Sequence, residues 1–79
     1  MDNIMQYEAN RFTVGTEVII TNENTMFKGF TGTVTNAVEK QEGLYCLIKF
    51  SEAFPRCWIK STYLITQKEF IENKEYYNI

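Results

Sequence analysis

From Phe12 onward, apolar and polar positions alternate with a period near two, the spacing of half-buried strands rather than of helices. Phe12 and Val14 alternate up to Gly15. Residues 16–21 then read as a strand with Val18 and Ile20 on one face. The polar stretch Asn22-Glu23-Asn24-Thr25 opens a loop that runs to Gly29, and residues 33–38 form a second strand with Val34 inward. Glu39-Lys40-Gln41-Glu42-Gly43 is a polar turn, and residues 44–50 carry the strongest strand pattern in the chain. The chain turns again at 51–55, and residues 56–60 return as the hairpin partner. Ser61-Thr62 suggests a short helical turn before a last strand at 63–65. Five short strands joined by compact turns predict an all-β fold, an SH3-like small barrel over residues 12–65.

Any helix is confined to the termini. Residues 1–11 form a lead-in, read either as one or two helical turns capped by Asp2, or as disordered chain. In residues 66–79, Thr66-Gln67-Lys68-Glu69 matches a capping box, in which the Thr and Glu side chains satisfy free N–H groups at a helix start. Phe70, Ile71 and Tyr77 then either lie on a short helix laid back on the barrel or belong to a frayed tail.

One stretch carries a more specific signal. Phe27-Lys28-Gly29-Phe30-Thr31-Gly32-Thr33-Val34 fits the pattern F-K-G-x-x-G-x-V and follows Val14-Gly15-Thr16-Glu17-Val18-Ile19-Ile20. Together these resemble the KOW motif of ribosomal proteins and transcription elongation factors. That resemblance implies a strand, a loop and a second strand forming half of an SH3-like barrel, and an RNA-, ribosome- or transcription-associated role. Gly29 and Gly32 suit a positive φ or a close strand approach. A weaker likeness links Trp58-Ile59-Lys60-Ser61-Thr62-Tyr63-Leu64 to the closing segment of signalling SH3 domains, with Tyr63 matching their groove tyrosine. Lys60 stands where those domains have the groove proline, and their paired tryptophans are missing, so the likeness reads as shared barrel geometry.

Alternation also assigns faces in the strongest hairpin. With Lys49, Arg56 and Lys60 turned to water, Tyr45 and Leu47 share the side of Lys49, and Trp58 shares that of Arg56 and Lys60. Leu44, Cys46, Ile48, Phe50, Cys57 and Ile59 then face inward. The register pairs Leu47 with Trp58, Lys49 with Arg56 and Tyr45 with Lys60. An outer cluster of Tyr45, Leu47 and Trp58 results, fringed by positive charge. Such a cluster either is a binding surface, since Trp and Tyr dominate hot spots, or forms a second small core beneath a terminal segment. Of the loop aromatics Phe27 and Phe30, one is expected to be buried and the other exposed. Cys46 and Cys57 are expected to be buried, reduced and structural.

Composition narrows the chemistry. The 79 residues contain no histidine, which removes the commonest general base and the His-paired nucleophiles. Two cysteines outside a CxxC spacing are too few for a zinc site, so no metal and no cofactor are expected. A chain this short lacks room for a cleft in which two carboxylates would act on a sugar. An enzyme is not expected.

Eight Lys and Arg against ten Asp and Glu give a net charge of −2. That balance disfavours nucleic acid as a partner, although Lys28, Lys49, Arg56 and Lys60 would gather into a local basic patch on folding. No apolar run approaches the roughly 18 residues of a membrane span. Met1-Asp2-Asn3-Ile4-Met5-Gln6 lacks the form of a signal peptide, so a cytoplasmic protein is expected.

The expected function is a non-enzymatic interaction module that binds a protein partner. Its candidate contact residues are Phe27, Lys28, Phe30, Tyr45, Leu47, Lys49, Arg56, Trp58 and Lys60. The Asn, Ile, Lys, Glu and Tyr usage fits a small accessory protein of an AT-rich bacterial genome, phage or plasmid, an inhibitor of host or defence functions being one form. A KOW-type RNA- or ribosome-associated module using the same aromatic and basic residues is the alternative.

Overall fold

In the computed structural model, which describes residues 11–77, the alternating segments become five strands. They are β1 (Glu17–Ile20), β2 (Thr31–Lys40), β3 (Gly43–Lys49), β4 (Cys57–Lys60) and β5 (Leu64–Thr66). A single 3-10 turn, Ser61–Tyr63, separates β4 from β5, and two short helices follow, α1 (Gln67–Glu72) and α2 (Lys74–Tyr77). All strands pair antiparallel in one sheet of order β4-β3-β2-β1-β5. The chain is thus a small, mostly β, barrel-like domain with helix at its C-terminal end. No helix among the described residues is long and apolar enough to cross a membrane.

β2 gives the sheet its curvature. Its first residues pair with β1, and the stretch from Thr33 to Lys40 pairs with β3. Between Val34 and Asn36 the register shifts by a bulge, and the Thr35 hydroxyl donates to the Leu47 carbonyl at 3.0 Å. A bulge bends its strand, so one ten-residue strand serves both halves of the sheet.

Two glycines on this path have separate physical reasons. Gly29 closes the β1–β2 loop at φ 87°, a left-handed conformation that is costly for residues with a Cβ. Gly32 stays in ordinary extended backbone but is buried where β2 crosses β3 and Phe50. A Cβ there would lie 2.5 Å from Ile48 Cγ2 and 3.0 Å from the Lys49 carbonyl oxygen.

The inward positions meet in one core of Phe12, Val18, Ile20, Val34, Leu44, Cys46, Ile48 and Leu64. Ile19 and Ile65 pair with each other and are buried on the opposite face of β1 and β5, the side of the sheet against which α1 packs. The capping box forms: the Thr66 hydroxyl accepts from the Glu69 N–H, and the Glu69 carboxylate accepts from the Thr66 N–H, both at 3.1 Å. The same carboxylate accepts from Arg11 Nη2 at 2.6 Å, tying the segment before β1 to the helix. Burial raises the Glu69 carboxyl, but the hydrogen bonds from Arg11 and Thr66 outweigh it and hold the group below its ordinary value.

Several expectations change. Phe12 is buried in the core, but residues 12–15 form no strand and Val14 is exposed, because the chain is still turning toward β1. β2 begins two residues earlier than expected and runs two residues further, into the polar Glu39-Lys40. β4 begins at Cys57, so its ladder with β3 ends at Ile48–Cys57, and the expected Lys49–Arg56 pair does not form. Cys46 is a buried thiol as expected. Cys57 is also a thiol but only half-buried, because it starts an edge strand with no neighbour on its outer side. The helical reading of residues 1–10 lies outside the described residues.

Candidate functional site

The β3–β4 hairpin carries the cluster singled out by alternation. Leu47 pairs with Trp58 and Tyr45 with Lys60, the register expected from the side-chain faces. On the other side of β3 the bulge sets Val38 opposite Tyr45 and Asn36 opposite Leu47. Val38, Tyr45, Leu47 and Trp58 therefore share the outer face of β2-β3-β4. Trp58 is 50% exposed at the free edge of that face. The helix that covers an outer face, α1, packs against β1 and β5 instead, at the other end of the strand order.

Two open hollows flank Trp58. One, of about 440 Å³, is lined by Val38, Lys40, Tyr45 and Trp58. The other, of about 420 Å³, runs from Tyr45, Trp58 and Lys60 past Cys57 and Ile59 to Phe27 of the β1–β2 loop and Tyr63 of the 3-10 turn. Lys40 stands over the Tyr45 ring, its Nζ 5.4 Å from the centroid, a distance at which the ammonium is attracted to the ring face. The Lys60 side chain crosses Gly43 so closely that a Cβ there would meet Lys60 Cε at 3.0 Å. Its apolar stem is held on the sheet while the ammonium reaches the rim.

The remaining candidates engage other partners. Phe30 joins Phe27 and Phe50 in an aromatic trio at one end of the sheet. The Phe27–Phe50 rings stack at 5.5 Å, and Phe30 meets both edge-on at 5.6 and 6.0 Å. Phe27 is half-buried against the core, not fully buried as expected, and Phe30 is 41% exposed. Lys28 lies 3.6 Å from Glu23, and Lys49 lies 2.7 Å from Glu52. The hydrogen bond from Lys49, with its charge and that of Arg56, holds the exposed Glu52 carboxyl below its ordinary value.

Two of the four expected patch cations thus face carboxylates. Arg56, outside β4, and Lys60 form no ion pair among the described residues. The nine candidates do not form one patch. Tyr45, Leu47, Trp58 and Lys60 converge with Phe27 behind them, Lys28 and Phe30 belong to the β1–β2 loop, and Lys49 shares the outer face of β3 but is paired with Glu52.

The candidate list lacked Val38, Lys40 and Tyr63. Lys40 sits where β2 outruns its expected end, and Val38 is turned outward by the bulge between Val34 and Asn36. Tyr63 was visible only in the closing-segment likeness. Among the described residues, no group of three His, Cys, Asp or Glu side chains gathers in a way that could hold a metal ion. Comparison with known proteins finds no matching family model, no matching curated protein and no matching solved structure.

Proposed function

We propose that this chain is a non-enzymatic, SH3-like interaction module that binds a protein partner through Trp58 and its surroundings. The observation that carries the reading is the half-exposed Trp58, set beside Tyr45, Leu47 and Val38 on a sheet face that α1 leaves open. Large aromatics in partly formed hollows are the usual anchors of protein interfaces, and holding them in water has no folding benefit. The SH3-like assignment draws on the order β4-β3-β2-β1-β5, on the 3-10 turn between the last two strands, and on the KOW-like segment that becomes the β1–β2 loop and the start of β2.

The charge geometry favours a protein over RNA or DNA. Nucleic-acid affinity rests on unpaired clustered cations, and two of the four expected here are neutralised by Glu23 and Glu52. A small cytoplasmic accessory or inhibitor protein of a phage or mobile element is the biological setting that the composition suggests.

The test is affinity capture from the source cell with the wild-type chain and with Trp58→Ala as paired baits. A protein recovered by the wild type should be lost by the variant, whose affinity drops by about 2 kcal/mol or more. Equal recovery by both baits would overturn the reading. Nucleic acid recovered with steep salt dependence would support the KOW-type alternative in its place.

A further inference from the structure

One of the hollows beside Trp58, of about 420 Å³, borders the outer edge of β4. β4 ends the strand order, and no other described strand pairs with its outer side. The hollow is lined by residues of both faces of this strand, Cys57 and Ile59 from the inner side and Trp58 and Lys60 from the outer. A groove bordered by both faces of a strand runs along its edge. It ends on Tyr63 and Phe27, which stand across from that edge. The opposite sheet edge is different: β5 has three residues, leads directly into the α1 capping box and lines neither hollow. An open strand edge presents a row of unpaired N–H and C=O groups that an incoming extended chain satisfies by pairing.

Charge identifies the occupant. By alternation Trp58 and Lys60 lie on one face of the edge, and Arg56 immediately precedes its first residue. Neither cation has an ion-pair partner among the described residues. If a second copy of β4 paired antiparallel on this edge in the register centred on Trp58, Arg56 of each copy would face Lys60 of the other. Like charges directly opposite one another destabilise a strand pair. A strand carrying carboxylates at those positions gains where self-pairing loses.

We propose that β4 receives an extended, acidic segment of the partner as a sixth strand. Its main chain pairs with Trp58–Lys60, one apolar side chain fills the hollow between Trp58 and Tyr63, and its carboxylates face Arg56 and Lys60. The inference rests on the protein-binding reading of the Trp58 face and adds the partner's backbone form and charge.

The experiment selects random short peptides, displayed on phage, against the full chain, and measures binding of the selected peptides by the fluorescence anisotropy of dye-labelled copies, which also reads the variant lacking Trp58, the single tryptophan. The selected peptides should be rich in Asp and Glu and free of proline at their centre. N-methylation of alternate peptide amides should abolish binding, and methylation of the intervening ones should not. A bound peptide should slow hydrogen exchange at β4. The double variant Arg56→Gln, Lys60→Gln should bind roughly tenfold more weakly.

Peptides that need Trp58 but are not acidic, or that tolerate every N-methylation, overturn strand addition and leave the docking face standing. Binding that is indifferent to Trp58→Ala overturns both. Selection of no binding peptide at all also overturns strand addition, and the paired-bait capture then decides the docking face independently.

Discussion

Replacing Gly32 by alanine tests how tightly β2 crosses β3. The added Cβ would sit 2.5 Å from Ile48 Cγ2, 3.0 Å from the Lys49 carbonyl oxygen and 3.2 Å from Phe50 Cδ1. Carbon atoms pack at about 3.5–4.0 Å, so one contact is short by more than an ångström. Ile48 is fully buried in the core and has no open space to turn into, and the Lys49 oxygen belongs to the β2–β3 ladder. Gly32 has no positive φ, so backbone strain adds nothing and the cost is steric.

Overpacking of this kind costs about 1–3 kcal/mol. The Lys49 backbone oxygen and the Phe50 ring, besides Ile48, put Gly32→Ala at the upper end, about 2–3 kcal/mol. A domain of this size has roughly 3–5 kcal/mol in all, so the variant should retain only about 0–3 kcal/mol. Urea unfolding followed by far-UV circular dichroism reads the change, with Gly15→Ala as the comparison. A Cβ at Gly15 meets nothing within 4 Å, and that variant bears only the strain of φ 96°, about 1–2 kcal/mol. An unchanged midpoint for Gly32→Ala, or a larger loss for Gly15→Ala, would refute the steric account of this crossing.

Thr66→Ala removes the helix cap and should lower stability by about 1 kcal/mol, read from the same unfolding curves. Because the Glu69 carboxyl lies below its ordinary 4.5 in the folded chain, its contribution is present above that value. It is lost as pH falls through the lower, folded value, and Glu69→Gln should flatten that acid limb in a pH series of thermal melts. Thiol titration of the native protein should label the half-buried Cys57 faster than the buried Cys46, with two free thiols after unfolding without reductant. Equal native rates would contradict the placement of Cys57 on an open edge.

Much of this structure is visible in local pattern. Alternation fixes the faces of β3 and β4, because turning Lys49 and Lys60 to water buries Cys46 and Ile48 with Ile59, and of the registers that keep those faces the one pairing Leu47 with Trp58 forms. The capping box is a four-residue signal with its own chemistry, and it forms where Thr66 and Glu69 predict. What escaped the sequence depends on distant partners. Arg11 and Glu69 are 58 residues apart, and nothing local marks their contact. β2 continues to Lys40 because the ladder with β3 holds polar residues in strand form after the inward apolar positions end. Lys40 was missed for the same reason, and Val38 because the bulge after Val34 turns it to the outer face, which strict alternation from an inward Val34 does not predict. The half-burial of Cys57 follows from β4 lying at the sheet edge, a fact of strand order that alternation within one hairpin does not contain.

The central claim is that Trp58 belongs to an open docking face and not to a covered second core. The unfolding free energy of Trp58→Ala relative to the wild type tests it most directly. A tryptophan buried in a core loses about 3–5 kcal/mol on truncation to alanine. At 50% exposure on a sheet edge, Trp58 leaves no enclosed cavity behind. The account therefore predicts a loss below about 1.5 kcal/mol, with the far-UV spectrum of the folded chain unchanged. A loss of about 3 kcal/mol or more would show that this face is part of the folded core, and would contradict the account.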